Sequence, residues 1–162
     1  MLKTDIQTAF NKHINAEMYS SYLYLAMGAW FETQNLPGMA SWMKAQAREE
    51  WGHAMKFFGY VCERSGTVTL EAIQAPPASW ASPVAAFGEV YEHECQVSSL
   101  INTLLELAQG EKDHASAIFL QQFVTEQVEE EATAKSIAER LRALGDSPSS
   151  LLLMDRALGE RK

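Results

Sequence analysis

Glu49-Glu50-Trp51-Gly52-His53 decides how this chain folds, because it puts a glutamate and a histidine where a helix should bury only apolar residues. Read at seven-residue spacing, the segment around it gives Met43, Glu50, Phe57, beside a companion row Gln46, His53, Tyr60. Three other segments repeat the pattern. Upstream lies Phe10, Glu17, Tyr24, Phe31; downstream lie Phe87, Glu94, Ile101, Ala108, and then Phe123, Glu130, Ile137, Leu144 beside Leu120, Gln127, Ala134, Leu141. Rows of this period form the core-facing seam of packed helices. Every seam is interrupted near its middle, and every interruption includes a glutamate.

Punctuation supports the helices that these seams imply. A first helix is expected over about 3–33, stopped by Gln34-Asn35-Leu36-Pro37-Gly38. A second runs from about Pro37, acceptable at a first helical position, to Arg64, where Ser65-Gly66 offers a C-cap. The third follows Ser82-Pro83 and ends near Gln109-Gly110; the fourth runs from near Asp113 to Leu144-Gly145. After Asp146-Ser147-Pro148, a short fifth helix is expected over about 148–159. Only Thr67-Val68-Thr69-Leu70 looks extended, within a second-to-third connection that also holds Pro76, Pro77 and Pro83. Fully extended, that connection of about 17 residues reaches roughly 55 Å, whereas a helix of about 27 residues, such as the second, is about 40 Å long. It can therefore run the length of the bundle and leave the second and third helices parallel. The expected class is all-α: one domain over 1–162, a four-helix bundle with one long crossover and a short C-terminal helix.

Charge narrows the function. With 21 acidic against 13 basic residues the net charge is −8, which disfavours nucleic acid as a partner. No apolar run approaches the length of a membrane span, and no hydrophobic segment followed by small residues opens the sequence. The two cysteines, Cys62 and Cys95, make no CxxC pair and read as small buried hydrophobes in a reducing cytoplasm.

In helices of similar length lying side by side, midpoints meet. Glu17, Glu50, Glu94 and Glu130 should converge on one buried layer, with His53 and Gln127 beside them. Each desolvated charge costs several kcal/mol unless compensated. No Lys or Arg falls on these rows near that level, since Lys44 and Arg48 lie off the seam. The carboxylates would then have to protonate or coordinate metal, and metal is the reading that neutralises the site. Glu50 and His53, three apart, point at one spot from adjacent turns, so one carboxylate can bridge two ions while the imidazole caps one. Four carboxylates, one imidazole and no thiolate suit iron or manganese better than structural zinc.

At this point the chain resembles the ferritins, in particular the bacterial non-haem branch. The resemblance spans essentially the whole sequence and is most specific at Asn15-Ala16-Glu17-Met18-Tyr19-Ser20-Ser21-Tyr22, at Glu49-Glu50-Trp51-Gly52-His53 and at Thr125-Glu126-Gln127-Val128-Glu129-Glu130-Glu131. It implies ferroxidase chemistry on Fe(II) with O2 or hydrogen peroxide, and a mineral held in a hollow shell of twenty-four subunits. Glu17, Glu50 and His53 would bind one iron; Glu50 would bridge to a second held by Glu94 and Glu130, with Gln127 close by. Glu49, Glu126 and Glu129, sharing Glu130, match a third iron position, although a solvated acidic face would look the same. Tyr24 matches the tyrosine beside the family's site, where an ordinary core tyrosine is the plainer reading. Bacterioferritins carry a haem-ligating methionine just after the second-helix glutamate, where this chain has Trp51, so no haem is expected.

Other residues read more plainly. His13 reads as a polar filler near the bundle end, though one turn before Glu17 it could support the site. His93 should point outward. Glu111, Asp113 and His114 are either a solvated turn or a cation entry. Leu151-Leu152-Leu153-Met154 needs cover from a neighbouring subunit, and Tyr19, Trp30, Trp42 and Trp51 make the outer faces of the first two helices rich in aromatics.

Overall fold

In the computed structural model, which describes residues 1–161, helices form where the seams lie. They are α1 (Thr4–Thr33), α2 (Pro37–Glu63), α3 (Pro83–Gly110), α4 (His114–Leu144) and α5 (Pro148–Gly159). No strand occurs among the described residues, so 67–70 is irregular backbone. The all-α bundle with a long crossover and a short fifth helix is thus the observed architecture. Among the described residues, no helix is long and apolar enough to cross a membrane.

The ends are set by side chains that satisfy free backbone groups. Ser82, Asp113 and Ser147 accept hydrogen bonds from the amides of Ala85, Ser116 and Ser150, and Pro37, Pro83 and Pro148 open the first turns of their helices. Three helices end through non-glycine residues in the left-handed region: Asn35, Ser65 and Lys112, at φ 56°, 57° and 56°. The expected Ser65-Gly66 stop therefore places the unusual conformation on Ser65. Gly66 serves a different end: its amide donates to Val61 O at 2.8 Å, and an added Cβ would come within 2.9 Å of Gln7 Oε1.

Cross-helix pairs fix the topology. Tyr24 meets Glu94 and Phe31 meets Phe87, so α1 and α3 are antiparallel. Tyr60 meets Ser116 while Gln46 meets Glu130, so α2 and α4 are antiparallel too. The crossover runs along α1 and is fastened by three carboxamides one turn apart. Gln7 Oε1 accepts from the Thr67 amide, Asn11 bonds Thr67 and Thr69, and Asn15 donates to the carbonyls of Glu71 and Ala72.

The apolar core is divided in two. One cluster, around Phe31, Met43, Phe87 and Leu141, fills the end nearer α5. The other, around Phe10, Phe57, Ile101 and Phe123, fills the opposite end. The interrupting glutamates lie between them. On α4 the buried row is Leu120, Gln127, Ala134, Leu141; Glu130 is half-buried and Leu144 exposed, so Glu130 reaches the centre from the helix edge.

The fifth helix packs on α2 of the same chain. Met154, Asp155 and Leu158 share its buried stripe, and Asp155 Oδ1 accepts from the Met39 amide at 2.8 Å, capping the start of α2. Trp42 is consequently buried beneath the tail, not on an outer face, whereas Trp51 is exposed. Of the four consecutive apolar residues, Met154 is covered by its own chain, and Leu152 and Leu153 stand 62% and 63% exposed.

Candidate metal centre

Glu17 on α1 and Glu50 and His53 on α2 meet at the middle of the bundle, all buried. One donor atom from each lies within 4.8 Å of the others. Glu50 Oε2 is 3.1 Å from His53 Nδ1. Glu17 Oε1 is 2.7 Å from His13 Nε2, and Glu17 Oε2, 4.0 Å from His53 Nδ1, has no hydrogen-bond partner. A buried carboxylate oxygen left unpaired is costly, and here it faces a ring nitrogen and a second carboxylate. Such a donor set fits a cation.

The second half of the layer comes from α3 and α4. Glu94 Oε1 accepts from the Tyr24 hydroxyl, and Glu94 Oε2 accepts from Gln127 Nε2 at 3.1 Å. Gln46 links the halves, its Nε2 donating to Glu50 Oε1 and Glu130 Oε2, each at 3.0 Å. All six inner residues read from the sequence are therefore brought to one layer, with Tyr24 hydrogen-bonded into it.

Electrostatics follow from burial. Burial pushes the Glu50 carboxyl up to about 8, reinforced by Glu17 and Glu94 and only partly opposed by His53. Burial likewise raises Glu94, against the bonds from Tyr24 and Gln127, and raises Glu130 to about 7 with help from Glu49 and Glu94. Burial also acts on Glu17, but the hydrogen bond and charge of His13, with His53, hold it below the usual carboxylate range. Burial works against charge on His53, yet Glu50, Glu17 and Glu126 raise it to about 9. Tyr24 keeps its proton well above the ordinary range, through burial and the neighbouring Glu94 and Glu50. Without metal, the layer holds itself together with protons.

The outer carboxylates lie at the edge of this layer, and the buried Glu126 Oε2, like Glu17 Oε2, has no hydrogen-bond partner among the described residues. Glu126 Oε2 is 3.1 Å from His53 Nε2, and its Oε1 accepts from Lys56 at 3.2 Å. Glu49 Oε2 accepts from Arg161 at 2.8 Å. Glu129 is exposed. Glu49, Glu129, Glu130 and Arg161 border a cleft of about 580 Å³ under the tail. No cation comes from the seams, as expected, but Lys56 and Arg161 reach the outer carboxylates from an exposed helix face and from the tail.

Several plain readings are corrected. His13 is buried and bonded to Glu17, so it supports the site; the i, i+4 spacing carried that signal. His93 faces inward toward α1: its Nε2 lies 2.8 Å from Ser20 Oγ and its ring packs edge-on to Tyr24. Asp113 is buried and paired with Arg64 Nη2 at 3.1 Å, so it belongs to a structural junction and not to a solvated turn. Cys62 is exposed and Cys95 half-buried, so neither is a core residue. Arg161, 115 positions from Gln46, gave no local signal.

Comparison with known proteins places this geometry in a family. Residues 7–149 match the model of the ferritin-like domain. The bacterial non-haem ferritin of Bacteroides fragilis is 42% identical over 161 residues, covering 99% of this chain and all of that protein. The corresponding protein of Campylobacter jejuni is 35% identical, covering 96% of this chain and 93% of its own. Among solved structures, the open-pore ferritin of the archaeon Archaeoglobus fulgidus is 48% identical and superimposes with a TM-score of 0.98 over the full length of both chains. A bundle with a divided core, a carboxylate layer at the division and near-complete coverage by these relatives lead to one conclusion: the chain belongs to the ferritin family.

Proposed function

We propose that this chain is an iron-storage ferritin subunit and a ferroxidase, oxidising Fe(II) inside the bundle and delivering Fe(III) to a mineral held by a shell of its own copies. The observation that carries this is the convergence of Glu17, Glu50 and His53, with an unpaired Glu17 oxygen among them. Glu17, Glu50 and His53 Nδ1 hold one Fe(II). Glu50 bridges to a second Fe(II) held by Glu94 and Glu130, with Gln127 fixing Glu94. Glu126, with Oε2 3.1 Å from His53 Nε2, adds a charge attraction to the imidazole from behind. Glu49, Glu126 and Glu129, with Glu130, form an outer position for a further iron. Each Fe(II) gives up one electron, so a pair supplies the two that O2 needs, with two protons, to become hydrogen peroxide. Oxygen ligands favour this by stabilising Fe(III). Tyr24 holds Glu94 in register through its hydroxyl.

Trp51 where bacterioferritins carry a methionine supports a shell without haem, and the setting in this reading is cytoplasmic. The test is anaerobic Fe(II) titration followed by O2, on the natural chain and on Glu50→Ala. Two Fe(II) per subunit and rapid oxidation are expected, both lost in the variant. A variant that oxidises iron as fast as the natural chain removes this assignment. Assembly is checked by native mass: twenty-four copies support storage, whereas a dimer would favour a di-iron oxidase or peroxidase with the same centre.

A further inference from the structure

The tail that packs on α2 ends at the metal centre. Arg161 Nη1 donates to Gln46 Oε1 at 2.8 Å, Arg161 Nη2 donates to Glu49 Oε2 at 2.8 Å, and the guanidinium lies 4.9 Å over the Trp42 ring. Three contacts thus hold one side chain. Gln46 is fully buried and meets no solvent. Its other end donates to Glu50 and Glu130, which belong to different helices. Glu130, at the edge of α4, makes no other side-chain hydrogen bond among the described residues.

We propose that Gln46 is a positioning residue for the metal centre and that Arg161 acts through it, a reading that rests on the two-metal site above. A guanidinium has only N–H donors. Facing Arg161, the Gln46 amide must present its oxygen, so its NH2 is turned inward. Reversed, it would set donor against donor on one side and an oxygen against two carboxylates on the other. The inward NH2 has two hydrogens, one for each carboxylate. Glu50 and Glu130 are thereby held at the spacing that the second ion needs before it arrives. A carboxylate has enough lone pairs to keep the amide bond and take a cation as well. The tail helix is in this way coupled to the geometry of the site.

Co(II), which binds carboxylate and imidazole donors without being oxidised by air here, reads the proposal through affinity and its visible absorption spectrum. The assembled natural chain is compared with Gln46→Ala, Arg161→Ala, Arg161→Lys and the double Ala variant. Gln46→Ala should weaken the second Co(II) about tenfold, the loss of hydrogen bonds to charged groups, and change the first less. Arg161→Ala should weaken the same ion by a smaller factor, and Arg161→Lys should restore only part, since an ammonium cannot fork between Gln46 and Glu49. In the Gln46→Ala background, Arg161→Ala should add less than about twofold, because coupled residues are not additive. Equal losses from Arg161→Ala in both backgrounds would overturn the proposal. So would an unchanged second-ion affinity and spectrum in Arg161→Ala, which would leave the tail contact as packing alone. A natural chain that binds fewer than two Co(II) per subunit takes down the two-metal reading and this one with it. Two ions with additive losses remove only the relay.

Discussion

His13 and Glu17 show how one neighbour sets the state of a buried acid. Burial alone would raise Glu17 as it raises Glu50 and Glu94, but the 2.7 Å bond to His13 turns the balance the other way. Glu17 is therefore the core carboxylate held below its ordinary range before metal arrives, whereas Glu50, Glu94 and Glu130 are pushed up. In His13→Ala its pKa should rise, so protons compete with the cation. Metal affinity should fall by about tenfold near pH 6 and converge with the natural chain near pH 8, measured by Co(II) titration. An equal loss at both pH values would mean that His13 matters for shape and not for charge. The other groups make metal uptake a proton-releasing event. Glu50 and His53 are hydrogen-bonded and titrate as a pair, pushed up to about 8 and about 9, so at pH 7 the pair holds protons that the first ion must displace. These folded-state pKa values lie above the ordinary ones, so protonation stabilises the metal-free layer at low pH. That stability fades as pH rises through about 7 at Glu130, 8 at Glu50 and 9 at His53. Affinity should therefore climb with pH while protons are released, and level off above the highest of these values. Calorimetry in buffers of different ionisation enthalpy should detect proton release on binding of the first ion at pH 7, and a heat independent of buffer would overturn this. The inner residues were legible because helical period and burial cost act along one stretch of chain. His93, Asp113 and Arg161 were not, because each acquires its meaning from a partner on a distant element.

At the level of elements, the helices were legible to within a residue at most ends because the caps Ser82, Asp113 and Ser147, and the prolines after Ser82 and Ser147, act on adjacent backbone. What could not be read was which face each element turns to another. The fastening of the crossover by Gln7, Asn11 and Asn15 uses carboxamides that, in sequence, look like any solvated face. The docking of α5 depends on a glycine that looks like part of a turn. An added Cβ on Gly38 would lie 1.8 Å from the Asp155 carbonyl oxygen, inside the backbone of the tail helix. Backbone cannot move aside as a side chain can, so Gly38→Ala must push α5 off α2. The cost should be about 1–3 kcal/mol, as for other overpacked contacts. It would also break the Asp155 cap on the Met39 amide. Amide exchange should then accelerate across residues 149–159 and at Met39 while the central turns of α1 to α4 stay protected. Uniform acceleration of all five helices would instead show that the tail is integral to the bundle.

For the whole molecule, the remaining question is what the exposed apolar residues are for. Single exposed hydrophobes are ordinary, but Leu152 and Leu153 are adjacent, both more than 60% exposed, on a helix whose other face is already used by Met154, Asp155 and Leu158. A helix that is apolar on both sides needs cover on both sides. In the proposed shell that cover would come from a neighbouring copy of the chain. Leu152→Ser with Leu153→Ser should therefore act on assembly and not on the subunit. Neither residue belongs to the core clusters, so the bundle should fold with unchanged helicity and bind the first Co(II) with unchanged affinity. Native mass spectrometry should show the full assembly giving way to smaller species, more so on dilution, since weaker interfaces dissociate by mass action. Iron should still be oxidised in these fragments but should precipitate from solution, because oxidation needs only the bundle whereas storage needs an enclosed volume. A variant that keeps the natural mass would place the contacts between copies elsewhere, with Ile118 and Val128, each 68% exposed on α4, as the next residues to change.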